Sequence, residues 1–118
     1  MKAVKFLLMV VFAGLFAITM NSCKKKCSGE DPGARIINNG TDKASVQIKT
    51  SGGNTVNINN VDPGTTSAYA SYAAGQVTFT ITVQNSNYVK TVSLLQCYNY
   101  DIAIDAGNNI TATAISLN

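Results

Sequence analysis

Val77-Thr78-Phe79-Thr80-Ile81-Thr82-Val83 sets Val77, Phe79, Ile81 and Val83 on one side of an extended chain and three threonines on the other. Successive side chains of a strand point to opposite faces, so this alternation predicts a β-strand with one buried and one solvated face. Threonine suits the solvated side because its β-branch fits the pleat. The pattern recurs on either side. Ala44, Val46 and Ile48 face inward against Ser45, Gln47 and Lys49; Tyr98, Tyr100, Ile102 and Ile104 face inward against Cys97, Asn99, Asp101 and Asp105. Turn chemistry separates the runs, at Asn39-Gly40, Gly52-Gly53, Pro63-Gly64, Ala74-Gly75, Ser86-Asn87, Gln96-Cys97 and Gly107-Asn108. Their spacing of about eleven residues lies in the range of sandwiches and barrels. Strands are therefore predicted at 34–38, 43–50, 54–61, 65–72, 76–84, 88–95, 97–105 and 109–117. No segment keeps a helical period. The expected fold is all-β, a single small antiparallel β-sandwich over 34–118 with seven to eight strands whose inward faces pack together.

Composition narrows the chemistry. The chain has 118 residues, three cysteines, and neither histidine nor tryptophan. Without histidine there is no Ser-His-Asp or Cys-His catalysis and no histidine metal ligand. The net charge of +3 is concentrated early, since Lys2, Lys5, Lys24, Lys25 and Lys26 precede the predicted domain. From Ala34 onward Arg35, Lys43, Lys49 and Lys90 balance Asp42, Asp62, Asp101 and Asp105. A nucleic-acid footprint is absent from a neutral domain of this kind.

The first 22 residues read as a targeting segment. Lys2 and Lys5 precede an uncharged run from Phe6 to Met20, then the small polar pair Asn21-Ser22. Fifteen residues of helix span ~22 Å, short of the ~30 Å hydrocarbon core. Met20-Asn21-Ser22-Cys23 resembles the lipobox of bacterial lipoproteins. That resemblance implies cleavage after residue 22 and lipidation of Cys23. It also implies a membrane partner held through acyl chains, at the bacterial outer membrane, facing the periplasm or the cell surface. Residues 23–33 then form a lipidated cysteine and a flexible polar tether, which can reach ~36–40 Å when extended. With Cys23 lipidated, Cys27 and Cys97 remain as a pair, either a disulfide or two free thiols.

Val61-Asp62-Pro63-Gly64-Thr65, Tyr69 and Ala74-Gly75-Gln76-Val77-Thr78-Phe79-Thr80-Ile81 are similar to a run found in transthyretin-like and immunoglobulin-like modules of bacterial envelope lipoproteins. The likeness implies that kind of sandwich and a binding or spacer role, and it assigns no functional residue.

Asp101 and Asp105 share a strand face four residues apart, ~13 Å. That exceeds the ~5–9.5 Å separation of paired glycosidase carboxylates. Asp42 and Asp62 belong to turns, where aspartate bonds its own backbone. Thr78, Thr80 and Thr82 form an outward row, with Thr111 and Thr113 as candidates to extend it, and such a row is ordinary for a solvated strand. Tyr98 and Tyr100 are in phase with the core. Tyr69 and Tyr88 are the tyrosines placed for exposure, and so the candidates to stack on a ligand. The expectation is a non-enzymatic, lipid-anchored binding or assembly module without cofactor or metal. Its ligand would be a protein or glycan, met by the loops Asn38–Lys43, Thr50–Asn54, Asp62–Thr66 and Asn85–Tyr88. The alternatives are strand addition at a sheet edge and a structural spacer or subunit of an envelope or fimbrial assembly with no ligand of its own.

Overall fold

The structure, a computed structural model, describes residues 26–118. The targeting segment and Cys23 lie outside them. Eight strands follow one another: β1 (Gly33–Asn39), β2 (Ala44–Lys49), β3 (Thr55–Val61), β4 (Ala70–Ser71), β5 (Gly75–Val83), β6 (Ser86–Leu94), β7 (Tyr98–Asp105) and β8 (Ile110–Ser116). They form two four-stranded sheets, ordered β4-β1-β7-β8 and β3-β2-β5-β6.

The alternation that predicts β5 also buries it. Val77, Phe79 and Ile81 have no solvent exposure, and the intervening threonines are half-exposed. Neighbouring strands set like residues beside them, with Ile48 opposite Phe79 and Val46 opposite Ile81. The facing sheet contributes Ala34 and Ile36 from β1 and Tyr100, Ile102 and Ile104 from β7 to the same core. Tyr100 is buried as the period requires, and its hydroxyl accepts from the Leu95 amide at 2.9 Å. Tyr98 is half-buried against the core and tilted onto Tyr100. The apolar faces of two sheets thus close on each other, which is the sandwich arrangement.

The pairing is not antiparallel throughout. β1 runs parallel to β7, with Ile36 opposite Ile102 and Arg35 opposite Asp101. The cause lies at the start of both strands. Cys27 is disulfide-bonded to Cys97, with Cα atoms 5.6 Å apart, and Cys97 immediately precedes β7. The Cys97 amide donates to Glu30 O at 3.0 Å, so the two strands leave the same end of the sandwich in the same direction. Residues 27–33 are consequently not a free tether. Pro32 and Gly33 are buried, Pro32 O accepts from Tyr72 N at 3.0 Å, and the Cys27 amide donates to Asn118 Oδ1 at 2.9 Å. Gly33 already belongs to β1, and a Cβ there would meet Asn99 Oδ1 at 2.6 Å.

The strand predicted at 65–72 shrinks to Ala70–Ser71 and an isolated bridge between Ile37 and Thr66. Ser67 explains the interruption. Its hydroxyl replaces a backbone carbonyl as acceptor for the Ile36 amide, at 2.9 Å, while its own amide donates to Ile36 O at 2.8 Å. Side-chain competition of this kind breaks a regular ladder. The hairpin turn predicted at Ser86-Asn87 is Gln84-Asn85 instead, because Val83 pairs with Ser86. Thr111 and Thr113 stand on β8, in the other sheet from Thr78, Thr80 and Thr82, so the two sets form no common row. Within its own sheet Thr78 shares a hydrogen bond with Thr91, at 3.2 Å between hydroxyls, and Thr82 donates to Asn87 Oδ1 at 2.7 Å.

Tyr72 is buried, and its hydroxyl has no partner among the described residues. Burial pushes that phenol up from its ordinary pKa. An unmet buried hydroxyl costs free energy that a phenylalanine does not. Tyr72→Phe is expected to raise stability by about 1 kcal/mol, about 4–8 °C in Tm for a domain of this size. Thermal unfolding followed by circular dichroism checks this.

Candidate functional site

Three connections meet at the end of the sandwich opposite the disulfide: the β1–β2 loop, the β5–β6 turn and the β7–β8 turn. Asn38 holds the first. It is 1% exposed, and its amide nitrogen donates to Asp42 O and Val61 O, both at 2.8 Å, while Oδ1 accepts from the Gly40 amide at 2.9 Å. A buried amide with both ends bonded ties the loop to the end of β3. The β5–β6 turn puts two residues in the left-handed region, Gln84 at φ 50° and Asn85 at φ 66°. That conformation matches the twist of a two-residue hairpin, though glutamine lacks glycine's freedom to adopt it. Asp105 shapes the third connection, its Oδ1 accepting from the Gly107 and Asn109 amides at 2.9 Å each, with Asn108 at φ 62°.

Between these connections lies a cleft of about 230 Å³. Val83 and Ile104 supply apolar floor, and Thr41, Asp42, Gln84, Tyr88 and Asn108 supply polar or aromatic wall. Among the described residues, no lysine or arginine lines it. The loops expected at Asn38–Lys43 and Asn85–Tyr88 are brought together here. Asp62–Thr66 reaches the same end, where Gly64 N donates to Asn38 O at 2.7 Å, and Thr50–Asn54 connects β2 to β3 elsewhere. Tyr88 differs from expectation. It is half-buried, opposite Ile81 and packed on the core, and presents only part of itself to the cleft.

Tyr69 is 40% exposed, but its groups are engaged. Its hydroxyl donates to Asp101 Oδ1 at 2.7 Å, and the Arg35 guanidinium sits 4.6 Å from its ring centre. Arg35 also grips Asp101 with two bonds, Nε to Oδ1 at 2.7 Å and Nη2 to Oδ2 at 3.2 Å. This clasp lies across the parallel β1–β7 seam on the outer face, and each member satisfies another. Asp101 and Asp105 therefore form no carboxylate pair, one serving the clasp and the other its turn. Among the described residues no group of three or more cysteines or carboxylates is placed to hold a metal ion.

The Arg35 hydrogen bond, with help from Tyr69 and the guanidinium charge and against the cost of burial, holds the Asp101 carboxyl below its ordinary range. The same bond network raises the Tyr69 phenol, chiefly through its hydrogen bond to Asp101. A carboxyl whose folded pKa is depressed contributes stability that is present above the unfolded value, ~3.9, and lost as pH falls through the folded one. Stability is expected to drop below about pH 4, and Asp101→Asn to flatten that drop while lowering stability at neutral pH. Urea midpoints measured from acid to neutral pH check both directions.

Neither a family model nor a curated protein matches the chain. Among solved structures, the NMR structure of a protein from Eubacterium rectale is similar, with a TM-score of 0.53 and 14% identity, covering 79% of this chain and 96% of that chain. At that identity the likeness is one of fold.

Proposed function

We propose that the protein is a non-enzymatic, lipid-anchored envelope module of the immunoglobulin-like or transthyretin-like kind, which binds a neutral, hydroxyl-rich ligand such as a glycan terminus in the end cleft. The lining of that cleft carries the reading. Carboxylates and amides accept and donate to sugar hydroxyls, a tyrosine edge packs on a ring, and no cation among the described lining residues is placed to neutralise an anionic ligand. About 230 Å³ suits one sugar unit, below the ~300–1,000 Å³ of sites for drug-sized ligands. The anchor supports the reading from the other end. Lipidation at Cys23 with Cys27 fastened to Cys97 leaves a leash of only ~14 Å in place of an eleven-residue tether. Anchor and cleft then occupy opposite ends of the domain.

The test is a titration of the full chain in detergent with glucose, galactose, mannose and N-acetylglucosamine and their short oligomers. At least one series is expected to bind, with Tyr88→Ala and Asp42→Asn each weakening it about tenfold, the loss of one charged hydrogen bond or packing contact. Asp101→Asn, outside the cleft, is expected to bind normally. Absence of binding to every series, or equal binding by the cleft variants, overturns the reading.

A further inference from the structure

Among the described residues the open sandwich leaves four sheet edges, and unpaired edges invite strand addition unless they are blunted. Three of these are blunted. β4 has two residues. β3 carries a register break against β2 between Ala44 and Val46, and its Asn60 is at φ 58°. β6 puts Lys90 directly opposite buried Phe79, which sets a charge on its inward row. β8 has none of these devices. Its seven residues, Ile110-Thr111-Ala112-Thr113-Ala114-Ile115-Ser116, contain no proline, glycine or charge, and from Ala106 to Asn118 there is no charged side chain.

The free side of β8 is defined by its bonds to β7. Asp105 N donates to Asn109 O at 3.1 Å and Leu117 N to Cys97 O at 3.0 Å, so the odd-numbered residues between them face β7. Antiparallel ladders alternate, which turns the amides and carbonyls of Ile110, Ala112, Ala114 and Ser116 outward. β8 is also open to solvent on its inward row. Ala112 and Ala114 lie opposite buried Ile102 and Tyr100 on the inward row, yet both are exposed.

We propose that β8 pairs antiparallel with β8 of a second copy of this chain, in a register centred on Thr113. Only a register with Thr113 opposite itself brings Ala112 opposite Ala114 and Ile110 opposite Ser116, and it matches all the outward groups in about eight hydrogen bonds. On the other face it sets Thr111 against Ile115, a β-branched pair. A neutral strand meets no like charge in its own copy and offers nothing to steer a charged partner. The contact is isologous, and with the other edges blunted it closes as a dimer and not a fibre. Two anchors in one bilayer then require the strands to lie along the membrane. The pairing is independent of what the end cleft binds.

Single cysteines test the register in cells exporting the full chain. Opposed Thr113 positions form a non-hydrogen-bonded pair with Cα atoms ~4.5 Å apart, within disulfide reach, whereas two Thr111 positions lie ~13 Å apart. Thr113→Cys is expected to give a reducible dimer on a non-reducing gel, at least about fivefold more than Thr111→Cys or Ile115→Cys alone. Co-expressed Thr111→Cys and Ile115→Cys chains are expected to cross-link to each other. Ala114→Pro removes an outward amide and no bond to β7, so adding it to Thr113→Cys is expected to abolish the dimer. No dimer at position 113, or equal dimer at 111, 113 and 115, overturns the proposal.

Discussion

Phe79→Ala is expected to cost about 3–5 kcal/mol, the loss of a large buried aromatic plus the cavity it leaves. Phe79 has no solvent exposure, sits at the middle of β5, and stands opposite Ile48 on one side and Lys90 on the other. A domain of this size has a total stability on the order of 5–15 kcal/mol, so one such substitution removes a large fraction of it. The surroundings are β-branched side chains on stiff strands, which close a void poorly. Urea unfolding followed by tyrosine fluorescence measures the effect. Thr80→Ala, on the solvated face of the same strand, is the comparison and is expected to stay within about 1 kcal/mol of the parent. Equal losses at positions 79 and 80 would contradict the assignment of faces.

Cys97→Ser is expected to lower stability by about 4 kcal/mol through the unfolded chain alone, since the bond closes a loop with a sequence separation of 70. The folded state loses as well. Residues 27–32 are held by the disulfide, by Glu30 O and by Pro32 O, and the first two of these constraints converge on Cys97. The parent in reductant and Cys97→Ser without it are expected to unfold at the same urea concentration, both well below the oxidised parent. Coincidence of all three curves would mean that the bond contributes nothing to the fold.

Period-two alternation carried most of the architecture because burial in a sheet follows side-chain direction. β2, β5 and β7 lie within two residues of their predicted bounds, and their inward residues form the core. Strand direction was not legible in the same pattern. Ala34, Ile36 and Asn38 alternate identically whether β7 runs with β1 or against it, and the parallel pairing follows from a contact between Cys27 and Cys97, far apart in sequence. That the strand predicted at 65–72 shortens to β4 is not legible in the pattern either, for a local reason, the Ser67 hydroxyl that takes over one backbone bond.

The cleft was legible only as a set of loops. Asn38-Asn39-Gly40 marks a turn, but that Asn38 turns inward and bonds Val61 O depends on where β3 ends. Sequence neighbours indicate how exposed a tyrosine is and not what its hydroxyl and ring touch. Tyr69 is exposed as its neighbours imply, and Asp101 and Arg35, brought beside it by the fold, occupy its hydroxyl and ring face. Tyr88 lies next to a turn, and the actual turn at Gln84-Asn85 shifts it into β6 and onto the core.

The central claim, a sandwich that carries its ligand at the end away from Cys27–Cys97, is tested most directly by light-induced cross-linking in cells. A photoreactive residue replaces Tyr88 in the cleft, Tyr69 on one outer face, or Val56 on β3, each in the full chain. The account predicts that position 88 captures a carbohydrate-containing adduct, removed by glycosidase treatment, and that positions 69 and 56 do not. Glycosidase-sensitive capture at 69 or 56 with none at 88 would contradict it.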